Sequence, residues 1–366
     1  MTNLWWAQIQ SVIRLEMRKT LFARRGLWIY LLALLPLLLF IVQAVLVSHE
    51  RERSRDIASQ SEKRLAYQDL LAVKPGMTTE EVVARLGRPP LRFHWNQRTP
   101  NGPSSFADVP HENYHFSDGA DDLFVELSDG KVVRVHIREG HNLGEEAIVF
   151  AGVFQFFYLR IAIFFGCLGI FMNLFRGEIL DKSLHFYFLA PIRREVLMVG
   201  KFLAGLLATT IIFVTSELLQ IIVFTGQFSP NARDLYLYQN HGLAHAAAYL
   251  GITVLACLGY GAFFMAAGML FRNPILPAAM ILVLEAMNPF LPALLKKISV
   301  IYYLKSLCPV DIPSPPDAPP LLSLLVSNPD PVSSPVAIFG IVIVALLLVY
   351  VSSVQVRRME INYTTE

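Results

Sequence analysis

Several stretches of this chain are too long and too apolar to belong to a soluble core. Leu27 to Val47 runs without a single charged side chain, and at 1.5 Å per residue such a run reaches roughly 30 Å, the thickness of a bilayer's hydrocarbon region. Further apolar runs lie near 148–174, 202–226, 244–271, 274–295 and 335–355, about six in all. Charged residues make up 16% of the chain, against about 25% in soluble domains. The sequence therefore predicts an all-α polytopic membrane protein with about six transmembrane helices. The first run lacks a small-x-small exit, so it reads as a retained signal anchor rather than a cleaved leader. Nucleic acid is not an expected partner, because the cations are scattered and no basic arm is interleaved with aromatics. Cys167, Cys257 and Cys308 have no metal-ligand spacing, and the first two fall inside apolar runs as small packing residues.

An even number of spans puts both termini on one side. Arg14, Arg18, Lys19, Arg24 and Arg25 precede the first run, Arg272 sits in a later short link, and Arg357 and Arg358 follow the last run. Cations in short links mark the cytoplasmic side, which gives N-in and C-in in a bacterial cytoplasmic (inner) membrane. Lys296 and Lys297 run against this scheme, but at a span end their stems can snorkel outward. Within residues 4–24, Trp5, Trp6, Ile9, Val12, Ile13 and Met17 gather on one helical face, with Gln8, Arg14 and Arg18 opposite. Glu16 intrudes on the apolar stripe. A tryptophan-bearing helix backed by cations lies in the membrane interface.

Residues 48–147 then form an extracytoplasmic insert, predicted as a small α+β domain between the first and second spans. In KPGMTTEEVVARLGRPP, Thr78 or Thr79 caps a helix, Glu80 and Glu81 occupy its first turn, and Gly87 closes it before Pro89 and Pro90. Leu123–Leu127 and Val132–Ile137 alternate with period two around Ser128-Asp129-Gly130-Lys131, a hairpin signal. This arrangement is similar to the small lipoprotein of the outer-membrane barrel-assembly machine, a resemblance that implies contact with an extracytoplasmic partner and no catalysis. Near the other end, the loop 308–335 is proline-dense and favours extended conformations.

Phe175 to Lys201 is a charged, aromatic-rich link between two spans, too short to fold alone. Arg176, Lys182, Arg193, Arg194 and Lys201 place it in the cytoplasm, and the interleaved Glu178, Asp181 and Glu195 suit a protein-docking surface. The order Glu178, then Lys182-Ser183-Leu184, then Pro191-Ile192-Arg193-Arg194, then Gly200-Lys201 resembles the coupling-helix region of the permease subunits of type-2 ABC exporters. The amphipathic N-terminal segment is similar to the elbow helix of the same family. Lys182 and Ser183 stand where glycine and threonine are more usual, and the insert is an addition. The resemblance implies ATPase coupling through Glu178, Asp181, Leu184, Pro191, Arg193, Arg194, Glu195 and Lys201. It also implies three kinds of partner: a separate ABC ATPase subunit, a second permease copy (homodimer or paralogue) and membrane lipid. No cofactor is implied.

The chain lacks a phosphate-cradling Gly-x4-Gly-Lys-Ser/Thr loop: Gly200-Lys201 is followed by Phe202 and has no earlier glycine. Hydrolysis is therefore expected in the partner, and the chain is not expected to be an enzyme. His111-Glu112-Asn113-Tyr114-His115 spells a zinc-protease motif, the basis of an alternative reading as a membrane-anchored metalloprotease. That chemistry needs a helix, whereas here the pattern is that of a strand, which separates the two histidines by roughly 13 Å. A second alternative is a non-transporting scaffold whose insert recruits a partner. Within the spans, Arg160, Glu217 and Glu285 are ionisable, and each unpaired charge costs on the order of 3 kcal/mol on insertion scales. They are expected either to line a path or a gate or to form an interhelical ion pair: by rise along antiparallel spans Arg160 and Glu217 reach similar depths and can pair, and Glu285, near mid-depth, can join them. Asn288-Pro289 is expected to kink or break the fifth span.

Overall fold

A computed structural model of the chain describes residues 2–22, 26–102, 105–119, 121–138, 143–180, 192–228, 233–271, 275–297, 299–313 and 332–358. They form two compact units, Met1–Ile41 with Ala147–Glu366, and Val42–Glu146. Helix α1 covers Thr2–Phe22. Helix α2 covers Leu27–Gln60, with Leu27–Ile41 in the larger unit and the rest, from Val42 on, in the smaller.

The smaller unit is built from local signals. After α3 (Tyr67–Leu71) comes α4 (Thr79–Leu86), where Thr78 Oγ1 accepts from the Glu81 amide and Glu81 returns a bond to the Thr78 amide. This reciprocal cap satisfies two amides that the helix leaves unpaired. Strands β1 (Leu91–Gly102), β2 (Ser105–Ser117), β3 (Asp122–Ser128) and β4 (Lys131–Arg138) form one antiparallel sheet in sequence order. Between β3 and β4, Asp129 and Gly130 take φ of 51° and 75°, the positive values that a two-residue hairpin requires at both central positions. One face of the sheet buries Tyr114, Phe116, Leu123, Val125, Leu127 and Val132 against Leu70, Val82 and Leu86 of the helices. On the other face, Ser54 of α2 donates to Asp122 at 2.9 Å.

From Ala147 on, the larger unit continues with one long helix in three stretches: α5 (Leu143–Gly152, whose first residues belong to the smaller unit), a π-helical stretch (Val153–Ile163) and α6 (Phe164–Leu180). Then come α7 (Arg194–Gly226), a π-helical turn (Leu235–Gln239), α8 (Gly242–Leu270) and α9 (Ile275–Ala286). The short helices α10 (Ala293–Lys296) and α11 (Val300–Ser306) lead to α12 (Ser334–Arg357). Helix α8 packs on α6, α7 and α12, and α1 lies along α7.

Among the described residues, five helices are long and apolar enough to cross a membrane: Leu27–Gln60, Glu146–Leu174, Arg194–Gly226, Gly242–Leu270 and Ser334–Arg357. The sequence pointed to about six. The difference lies in the run 274–295, where α9 stops at Ala286 and a 3-10 turn occupies Asn288–Phe290. Pro289 and Pro292 cannot donate to a continuing helix. The twelve residues of α9 rise only about 18 Å, short of the roughly 30 Å hydrocarbon core.

Candidate functional site: the helix junction at the base of α7 and the buried polar groups of the bundle

Four of the residues expected to couple to an ATPase come together where α7 begins. Arg193 precedes the helix and stacks on Trp5 of α1, its guanidinium carbon 5.0 Å from the ring centroid. Arg194 donates to the Arg357 carbonyl at 3.3 Å, while Arg357 Nε lies 2.6 Å from Glu195 Oε1. The start of α7 is thus tied to the end of α12. Glu195 in the first turn of α7 also suits the positive end of the helix dipole.

Lys201, two turns further on, is fully buried. Its ammonium lies 2.7 Å from Glu16 Oε1 and donates to the Leu174 carbonyl at 3.1 Å. One cation therefore joins α1, α6 and α7. Beside it, Gly200 lets α1 approach closely, since a Cβ there would stand 2.9 Å from Val12 Cβ. A buried ion pair contributes little net stability, but removing one partner strands the other charge at a cost of about 3–5 kcal/mol. The acid that interrupts the apolar stripe of α1 is explained by this geometry: Glu16 faces Lys201.

Of the remaining expected residues, Glu178 lies near the end of α6, and Asp181, Leu184 and Pro191 lie outside the described residues. Reading the sequence did not assign Glu16, Val12, Trp5 or Arg357 to this junction. The break in the α1 stripe was the signal for Glu16. Nothing local marks Val12 as the neighbour of a glycine far along the chain.

Arg160 and Glu217 are not paired as their similar depth along the chain suggested. Arg160, in the π-helical stretch, lies 5.2 Å over the Phe156 ring, and Lys305 lies 5.9 Å from the same ring. Glu217 makes no hydrogen bond through either carboxylate oxygen, so the proposed Arg160–Glu217 pair is not formed. The reason is angular. Residues two apart on a helix point in widely different directions, and it is Tyr158 that turns to α7, donating to the Phe213 carbonyl at 2.5 Å. Burial in the stretch falls on 154/155, 158/159 and 162/163, a repeat of four that is wider than the 3.6 of an α-helix.

Glu285 has a different task. It accepts from Ser299 Oγ at 2.9 Å and from the Val300 and Ile301 amides at 2.9 and 3.0 Å. The carboxylate caps α11, satisfying amides that a helix start leaves unpaired, and folds the chain back after the proline break.

In the smaller unit, His111 and His115 sit on β2, not on a helix. His111 stacks on Trp95 at 5.5 Å with Nδ1 3.8 Å from Glu126, and His115 stacks on Phe124 at 4.2 Å with Nε2 3.4 Å from Asp122. Each imidazole has its own acid, and among the described residues no group of three or more side chains is placed to hold a metal ion.

No curated protein and no solved structure matches the chain detectably. A family model described as ABC-2 family transporter protein matches residues 10–296, a range that holds most of α1, the Glu16–Lys201 pair at α7 and the polar groups of the bundle through Glu285, with Trp5 and Arg357 outside it. With several apolar helices long enough to cross a bilayer and this match over most of its length, the chain belongs to the ABC-2 family of transporter proteins, as a multi-pass, non-catalytic permease subunit whose family works with an ATP-binding partner.

Proposed function

We propose that this permease is the membrane part of an ATP-driven exporter and that residues 175–201 form its cytoplasmic coupling surface for the ATPase. The observation that supports this most is Lys201. The connector runs into α7, and Lys201 at its end is bonded at once to Glu16 of α1 and to the Leu174 carbonyl of α6. A displacement imposed on the connector therefore reaches three helices through one fully buried cation, and a fourth through Glu195 and Arg357. Interfaces packed in this way shift as units rather than deforming gradually. Glu178 and Asp181 are proposed as ATPase contacts, with Leu184 and Pro191 shaping the docking turn. On this reading Arg193, Arg194, Glu195 and Lys201 transmit the movement inward.

Two copies of the chain, or this chain and a paralogue, are proposed to enclose the path. The exposed apolar side chains of α9, among them Ile275, Leu276 and Met280, suit lipid or that second copy. The insert of residues 48–147 is proposed to lie outside the cytoplasm and to contact a partner there. Charge reversal at Glu178 and Asp181 leaves the bonds of Lys201 untouched. Wild-type chain should co-purify with an ATPase, and Glu178→Arg/Asp181→Arg should lose at least most of it while still folding. Retention of the ATPase by the double variant would refute the docking assignment.

A further inference from the structure

Glu217 is the one ionisable side chain of α7 between Lys201 and the end of the helix, and it is fully buried. Neither of its oxygens has a hydrogen-bond partner, and among the described residues no lysine, arginine or histidine forms an ion pair with it. The polar groups around it are engaged elsewhere. Ser216 donates to the Ala33 carbonyl of α2, Gln220 donates to Ser216, and Tyr158 donates to Phe213. Across from α7, on α8, Tyr249 and Thr253 stand one turn apart, and both of their hydroxyls are buried without partners. Aromatic rings of Phe150, Phe154 and Phe224 surround Tyr249 and the outer part of α7.

An ionised carboxylate left alone in such a medium is strongly disfavoured, and in practice the group neutralises instead. With no cation to neutralise it, the simplest ligand is a proton. Tight packing argues for the same choice, since a proton needs no cavity.

We propose that Glu217 is a proton-binding site inside the membrane unit, holding a proton while α7 and α8 are packed as they are here and exchanging it with water when they part. In uptake, one hydronium O–H bond breaks and one O–H bond forms on a Glu217 oxygen, and release reverses this. Tyr249 and Thr253, with unspent hydroxyls on the facing helix, are placed to accept and pass on the water that enters. The titratable groups within electrostatic reach of Glu217 are Tyr158 of the π-helical stretch, Tyr249 of α8, and Cys308 just after α11. None of them supplies a positive charge.

The test is infrared spectroscopy on the purified full-length chain in lipid at neutral pH. Wild type should show the carbonyl absorption of a protonated carboxyl group, shifted in heavy water. Glu217→Gln should lose that absorption and Glu285→Gln should keep it. Glutamine has the shape of the neutral acid, so the variant should fold and melt with wild type. Should it fail to fold, a membrane-permeant carbodiimide, which modifies protonated carboxyls, decides on wild type. An adduct on Glu217 that increases as pH falls supports the site, and its absence overturns it. An absorption unchanged in Glu217→Gln, or absent from wild type, also overturns it. No ATPase takes part, so failure here leaves the exporter reading standing, and success does not depend on it.

Discussion

Lys201 illustrates how a single side chain can hold a junction together without adding much net stability. Lys201→Met takes from buried Glu16 its 2.7 Å cation and leaves Lys19 at 3.8 Å, so the expected loss is below the roughly 3–5 kcal/mol of a fully stranded charge, read as a lower melting temperature of the purified chain. Adding Glu16→Leu removes the stranded charge, and the double variant should recover most of the loss; simple additivity of the two changes would contradict the pairing. In the smaller unit the decisive residue is Asp122. Burial disfavours its ionised form, but contacts from His115, Ser117 and Ser54 outweigh this and hold its carboxyl below the ordinary aspartate range. A carboxyl depressed by folding lends stability that is complete above its unfolded value and is lost as pH falls through the folded one. Amides of β2 and β3 should therefore lose exchange protection at pH below the usual aspartate range, and Asp122→Asn should remove that pH dependence. Both junctions combine a residue whose chemistry is visible in sequence with a partner that is not. Glu16 stood out as an acid in an apolar stripe, yet only tertiary packing brings it to a lysine 185 residues away.

Helices and strands were legible wherever the signal is local. The capping box at Thr78, the stop at Gly87 and the Asp129-Gly130 turn each act within a few residues, and each does in the structure what its chemistry requires. Pro289 was legible as a break, but its consequence was not. Whether a proline kinks a span or ends it depends on what receives the freed groups, and here Glu285 caps a new helix rather than restoring the old one. The π-helical stretch left no mark in the hydrophobic pattern, because an apolar face of Phe, Ile and Ala fits either period. That stretch turns Tyr158, not Arg160, toward α7, and depth alone could not foresee it. The contact between α1 and α7 rests on Gly200. Gly200→Val would drive side-chain atoms into Val12, and overpacking of this kind costs about 1–3 kcal/mol. The variant should melt lower, and α1 should become cleavable by added protease; unchanged resistance would mean that α1 is held without the close approach.

At the scale of the whole molecule, the parts point one way. The first helix, α1, is clamped to the long helix α7 by a buried ion pair, the last helix, α12, is bonded to the same junction, and a charged connector leads into it. On the proposed reading, such an arrangement would give an external ATPase a handle on several helices through one surface. The membrane class and the general helical plan followed from apolar run length, a signal strong enough to survive any tertiary context. The site itself was half legible: its basic residues were visible as a cluster, whereas the helices they grip were not, since those contacts join segments far apart in the chain. The central claim is that the connector faces the cytoplasm, where an ATPase can reach it. The most direct measurement replaces Ser183 by cysteine in a chain whose three native cysteines are changed to serine, and labels intact cells with an impermeant maleimide. Labelling only after the inner membrane is permeabilised is the predicted result, and labelling of intact cells would contradict the account.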